Sequence, residues 1–304
     1  MKSSQLIKVG ICVAYDWDLL KNSLPRIYEN ADIICLGLDK DRHAWSCIPY
    51  EFDNEAFFSF VQEIDRDKKI IVYEDDFSLE RLDKRQNCNR HRMLIAEKMG
   101  IGGWHIQIDA DEYFLDFHGF TQYLKLLNNN PQPYQKAINI CCPFVPLIKK
   151  VTGGYLYVNF RDSLPEIIPM ATNKPDYQRA RQNGHFNHIS TFYVIHETWA
   201  REDDELWFKI NNWGHASEEL GAQAKRISYY NLWKSLDNNN YQFIFNFHPA
   251  LPKAWPVLSF GEGENAGDFI RKFQLPKFPL SQFSLALKNS RNIARLKSLL
   301  RRVI

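Results

Sequence analysis

Along the first third of the chain, short apolar runs alternate with amphipathic stretches. Residues 6–14 are nearly continuous apolar sequence and read as a buried strand. Asp16 or Asp18 stands where a helix cap is needed, and Pro25 is expected to kink or restart the helix that follows. A second apolar run, 32–38, ends at Asp39-Lys40-Asp41. Asp53 then precedes a predicted helix with Phe57, Phe60, Val61 and Ile64 on one face. A third strand is predicted at 69–73, closed by Glu74-Asp75-Asp76. The next helix is predicted over 84–99, because Gly100, Gly102 and Gly103 supply a stop. The strand predicted at 104–108 runs straight into Asp109-Ala110-Asp111.

Alternation of this kind predicts an α/β fold built on a mainly parallel, twisted sheet flanked by helices. Ligands of such sheets bind at the carboxyl ends of the strands. Asp39, Glu74 and Asp109 all fall there, on one rim. The pattern changes after Asp111. Longer edge or meander strands are predicted at 137–148 and 154–160, and a single strand at 186–195 that ends in His196-Glu197. A helix is predicted over 202–213, stopped by Gly214. Residues 128–133 and 172–175 are turn-rich links, and the prolines of 249–256 and 276–279 mark irregular structure. No internal repeat is visible.

The tail is distinct. Residues 288–304 hold six Lys or Arg and no acid, with Ile293, Leu296, Leu300 and Val303 on one helical face. That describes a basic amphipathic helix suited to an anionic membrane surface. Composition narrows the rest. A net charge of +2 gives no global argument for nucleic acid. The six cysteines, at 12, 35, 47, 88, 141 and 142, have no Cys-x-x-Cys spacing and read as reduced thiols of a cytoplasmic protein. The opening residues are polar and too short for a signal peptide, and no apolar run reaches the roughly 18 residues a membrane span needs.

Four Asp-x-Asp pairs occur: Asp16/Asp18, Asp39/Asp41, Asp65/Asp67 and Asp109/Asp111. Only the last sits directly at the end of a strand pattern and is followed by aromatic residues. Two carboxylates so placed offer hard oxygen ligands to Mg²⁺ or Mn²⁺, the ions that hold a diphosphate. Arg90 and Arg92, near the start of the preceding helix, suit phosphate because guanidinium matches it bidentately.

Asn89, Arg90, Arg92, Ala96, Gly100, Ile106, Ile108, Asp109 and Asp111 together resemble the core of family 2 glycosyltransferases of the GT-A fold. The later block from His196 through Trp199, Arg201 and Trp207 to Trp213-Gly214-His215 is similar to a bacterial subgroup that builds lipopolysaccharide and capsule sugars. The resemblance covers roughly residues 5–220. It implies a domain over 1–220, with a nucleotide-sugar half to about 115 and a mixed acceptor half after it, and an extension over 221–304 with a helical tail. It implies a nucleotide-diphosphate sugar donor, UDP-linked, a saccharide or lipid-linked acceptor and inverting transfer; the basic tail adds a place on the inner face of the plasma membrane. On that pattern Asp111 holds Mn²⁺ or Mg²⁺, Asp109 reaches the metal or the ribose, and His215 completes the metal shell or orients the diphosphate. Asp39 reads the nucleobase, with Tyr15, Glu74, Arg90 and Arg92 around the donor, and Trp199 and Trp213 offer faces to an acceptor sugar.

Two departures stand out. The first strand ends Val13-Ala14-Tyr15-Asp16 rather than in the family's Pro-x-Tyr-Asn. The Glu-Asp pair that supplies the family's base is missing; Glu197 is the nearest candidate for a general base, with Asp203 and Asp204 next. The rival readings are a sugar-1-phosphate nucleotidyltransferase and a non-catalytic carbohydrate-binding assembly protein. The first calls for a glycine-rich phosphate loop after the first strand, where residues 14–18 hold no glycine.

Overall fold

The computed structural model describes residues 6–128, 136–161, 163–212, 223–249, 251 and 254–300. Four strands, β1 (Ile7–Val13), β2 (Ile33–Asp39), β3 (Ile70–Asp75) and β4 (Trp104–Asp109), pair in parallel in the order β3-β2-β1-β4. All seven residues of β1 are buried, because both faces of the sheet are covered. The helices α1 (Leu20–Ile27), α2 (Asn54–Ile64) and α3 (Lys84–Lys98) make the crossovers that parallel pairing requires.

The start of α3 is fixed by a reciprocal cap: Asp83 accepts from the Gln86 N–H at 2.8 Å, and Gln86 accepts from the Asp83 N–H at 3.0 Å. Its seat on the sheet needs glycine. A Cβ at Gly10 or Gly37 would stand 2.6 or 2.5 Å from the Ile95 side chain. That close approach carries Arg92, on the same helix, to the carboxyl ends of β1 and β4.

Beyond β4 the sheet turns antiparallel. β6 (Ile138–Val151) lies between β8 (Ile167–Thr172) and β7 (Gly154–Asn159), β8 closes onto β4, and β11 (Val257–Glu262) forms the far edge on β7. The short β5 (Glu112–Phe114) follows the Asp pair and joins β10 (Val194–His196).

Several expectations change. The strand expected over 186–195 is two: β9 (Phe186–Ile189) and β10, both parallel to β6. Between them β6 advances three residues while its partner advances five, so the surplus bulges out of the ladder. β8 and β11 arise in stretches for which no element was predicted, β8 running into the turn-rich link at 172–175 and β11 following the prolines of 249–256. Helix α1 runs through Pro25 and ends at Ile27, and its lead-in turn at Trp17 has no side-chain cap from Asp16. The extension after 220 joins the same sheet through β11. Asn289 grips Ile189 at the end of β9 by two hydrogen bonds of 2.8 Å. The tail helix α9 (Arg291–Leu300; α4 to α8 being Phe117–Asn128, Asp203–Asn212, Gln223–Ser235, Ala266–Lys272 and Gln282–Lys288) is anchored by Arg291, which donates to the Ala137 carbonyl at 3.1 Å. Leu296 stays 58% exposed. Among the described residues, no helix is long and apolar enough to cross a membrane.

Candidate active site

β1 is flanked by β2 on one side and β4 on the other: the chain runs outward from β1 through β2 to β3, and then crosses back to place β4 on the opposite side. A crevice opens at such a reversal, outside the carboxyl ends. Here it is a cavity of about 540 Å³, walled by Tyr15 and Asp16 after β1, Asp39 at the end of β2, and Asp109 to Asp111 at β4.

The two aspartates of the β4 motif sit among cations, Asp111 buried and Asp109 half-buried. Asp109 pairs with Arg92 at 2.8 Å, with Arg181 at 3.9 Å. Asp111 Oδ2 accepts from Arg201 at 2.6 Å and Lys209 at 2.7 Å, and His196 Nε2 stands 3.6 Å away. Arg201 also reaches Asp16 at 3.2 Å. Burial by itself would raise the Asp111 carboxyl; Lys209, His196 and Arg201 overcome it and hold the group well below the usual carboxylate range. Asp109 is likewise lowered, Arg92 and then Arg181 outweighing its burial. Glu112 completes the cluster: it is buried, accepts from Arg181 Nη1 at 2.7 Å and accepts the Asp109 N–H at 3.1 Å.

Arg181 owes its position to α3. Asn89 accepts from the Ala180 N–H at 2.6 Å and donates to the Gln178 carbonyl at 2.7 Å, gripping the loop on both sides. Ala180 is held at φ 48°, a left-handed conformation that a side-chain-bearing residue adopts only when its surroundings impose it.

These contacts decide how well the site suits a divalent ion. The oxygens have the right chemistry, but Asp111 shares Oδ2 with two cations and Asp109 faces a guanidinium. Among the described residues no group of three His, Cys, Asp or Glu side chains converges as a metal cage. His215 and Trp213 lie outside the described residues. Among the described residues, these side chains are arranged as paired ions and not as a ready-made site for Mn²⁺ or Mg²⁺, although Asp109 Oδ1 is buried without a hydrogen-bond partner.

Other expected site residues divide. Tyr15 lines the cavity, edge-on to Phe208 with ring centroids 4.7 Å apart. Asp39 lines it too, but its oxygens are spent: Oδ1 accepts the N–H groups of Asp41 and His43, and Oδ2 those of Phe77 and Ser78, at 3.0–3.2 Å. A carboxylate has about four lone-pair sites, so none remains for a nucleobase N–H. Asp39 instead ties the loops after β2 and β3. Glu74 is exposed and pairs with Arg42 at 2.8 Å, while Arg90 donates to the Asp76 carbonyl, both away from the cavity wall.

Glu197 is also displaced from the cavity. Successive side chains of a strand point to opposite faces, so His196 and Thr198 line the cavity and Glu197 turns away. It accepts from the Tyr113 hydroxyl at 2.6 Å, and burial pushes its carboxyl up. Asp203 pairs with Lys234 at 2.6 Å and Asp204 is exposed, as befits the acidic first turn of a helix. Trp199 is buried edge-on to Tyr229 in a second core, away from the cavity wall.

The site residues missed from sequence are Arg181, Lys209, Glu112 and Glu166. Lys209 lies inside the 196–215 block and Glu112 abuts Asp111, so position was a usable signal for both. Arg181 and Glu166 carry none, since only chain folding brings the loop at 180 and the start of β8 to the crevice.

No family model matches the chain, and no curated protein matches it. Among solved structures it is similar to the crystal structure of S. aureus TarS 1-349, with 8% sequence identity, 78% of this chain and 74% of that chain covered, and a TM-score of 0.36. At that score neither fold nor activity follows from the likeness.

Proposed function

We propose that the protein is a GT-A-type glycosyltransferase that moves a sugar from a nucleotide-diphosphate sugar, UDP-linked, to a hydroxyl of a saccharide or lipid-linked acceptor, with inversion. The observation that carries this reading is the charge cluster of buried Asp111, Arg92, Arg201 and Lys209 with half-buried Asp109 at the point where the sheet reverses. The breaking glycosidic bond leaves a diphosphate whose growing negative charge must be met by preorganised donors. Lys209 spends one of its three ammonium protons on Asp111, leaving two. Arg92 Nε and Nη1 are buried and make no hydrogen bond among the described residues. Buried donors of that kind call for a partner, and phosphate oxygens supply one.

In this reading the chain's own cations neutralise the leaving group, and Asp109 and Asp111 hold those cations in place. Tyr15 borders the donor. Asp39 acts as a positioning residue, fixing the segment that brings His43, Ala44 and Trp45 to the cavity wall.

The test is a screen of nucleotide sugars for release of nucleoside diphosphate, with EDTA and with Mn²⁺ or Mg²⁺. One nucleotide class is expected to turn over, and Lys209→Met to suppress it. Absence of turnover with every donor under all conditions contradicts the reading.

A further inference from the structure

Inverting transfer needs a group that takes the proton of the acceptor hydroxyl, and this inference rests on the transferase reading above. Five carboxylates line the cavity: Asp16, Asp39, Asp109, Asp111 and Glu166. The first four are committed. Asp16 pairs with Arg201, Asp109 with Arg92, Asp111 with Arg201 and Lys209, and Asp39 is filled by four backbone N–H groups. Asp109 and Asp111 are held low by their cations and are poor proton acceptors; Asp16 is pushed up by burial but stands against Arg201 at 3.2 Å, and the lone pairs of Asp39 are occupied by backbone donors.

Glu166 differs. It stands just before β8, and its carbonyl accepts the Phe144 N–H at 2.9 Å, so the backbone is anchored. Its carboxylate makes no ion pair among the described residues. Oε2 receives only the Trp255 indole N–H at 3.5 Å, a long contact that orients the group without saturating it. The neighbouring wall is formed by Phe144, Ile168, Pro169 and Leu251, an apolar surface suited to the C–H face of a sugar.

We propose that Glu166 is the catalytic base of the transfer. The acceptor hydroxyl gives its proton to the Glu166 carboxylate as its oxygen forms the bond to the anomeric carbon. The bond from that carbon to the diphosphate oxygen breaks, and its electron pair leaves with the nucleoside diphosphate. Glu166 ends the step neutral and returns the proton to water. Burial raises its carboxyl above the ordinary glutamate range, with His196, the Trp255 indole and Arg181 pulling it down and Glu112 adding slightly to the rise. A base shifted in this direction sits closer to working pH.

Glu166→Gln and Glu166→Asp separate this role from a structural one. Glu166→Gln keeps the size of the side chain and is expected to melt with the wild type and bind nucleoside diphosphate within about twofold of it. Its kcat should fall by roughly 10²–10⁴-fold, with KM for the donor unchanged. The acid limb of the kcat profile should disappear, and Glu166→Asp should restore part of the rate. Glu166→Gln turning over within threefold of wild type overturns the assignment, as does an acid limb that survives in it but vanishes in His196→Gln. Wild-type protein that releases nucleotide from no donor overturns the transferase reading instead, and the role of Glu166 with it.

Discussion

The two walls of the cavity are built on opposite principles. On the β1/β4 side each carboxylate faces a guanidinium, an ammonium or backbone amides, and most of the cluster is buried. On the β8/β10 side the surface is largely apolar and carries Glu166 with one long contact. A wall whose charges are all paired is rigid and suits a fixed, highly charged group such as a diphosphate. A wall with one loosely held carboxylate suits an exchange of protons. The contrast predicts that charge-removing changes on the first wall damage both folding and binding, while the same changes on the second damage chemistry alone.

The largest effect is expected at Asp111. Asp111→Ala strips Arg201 and Lys209 of a shared partner inside the fold, and an uncompensated buried charge costs about 3–5 kcal/mol. Urea unfolding should show that loss, and Glu166→Gln should show almost none. Equal losses for the two variants would erase the distinction between the walls.

Asp39→Asn comes next. The amide replaces one acceptor oxygen with a donor facing two backbone N–H groups, and each buried N–H left without a partner costs about 1–3 kcal/mol. The variant should be destabilised by a few kcal/mol yet keep its nucleotide preference, measured by denaturant titration beside ligand binding. A changed preference among nucleotides would return Asp39 to direct contact with the base.

The pH dependence is subtler, because the two kinds of carboxylate pull in opposite directions. Asp109 and Asp111 are lowered in the folded protein, so their contribution is complete above the ordinary aspartate value of about 4 and is lost as pH falls through the folded value. Glu197 is raised, so its contribution is complete below the ordinary glutamate value and is lost as pH rises through the folded one. Glu197→Gln, which keeps an oxygen for the Tyr113 hydroxyl, should flatten the decline of melting temperature on the alkaline side and leave the acid decline intact. Loss of turnover in this variant without loss of folding would make Glu197 part of the chemistry after all.

The smallest effect concerns the tail. Arg295 and Leu296 are exposed on α9, and binding to anionic lipid vesicles at low salt should fall when Leu296→Ser and Arg295→Ala are combined. No vesicle binding by the intact chain would remove the membrane from the account.

The parallel half could be read from the sequence because its strands are short apolar runs, three of them closing directly on acidic residues, and Gly100 to Gly103 mark the break before β4. Asp109 and Asp111 followed from that context. Their partners were legible only in part: Arg92 was singled out for phosphate and Arg201 lay in the later block without a role, while Arg181 lies far along the chain and meets the pair only through the folding of β6 to β10. Glu197 was misplaced because a strand end was identified without its phase: one residue decides which side of β10 faces the cavity. Glu166 was invisible because β8 holds Pro169 and ends in a stretch that reads as a turn.

The most direct test of the central claim is calorimetric titration of nucleoside diphosphates into wild-type protein and Lys209→Met, in EDTA and again with Mn²⁺. The account predicts that one nucleoside diphosphate binds the wild type in EDTA and that Lys209→Met weakens it by about 10- to 100-fold, the worth of a hydrogen bond from a charged donor. Failure of every nucleotide to bind, or binding that needs Mn²⁺ and ignores the loss of Lys209, would contradict it.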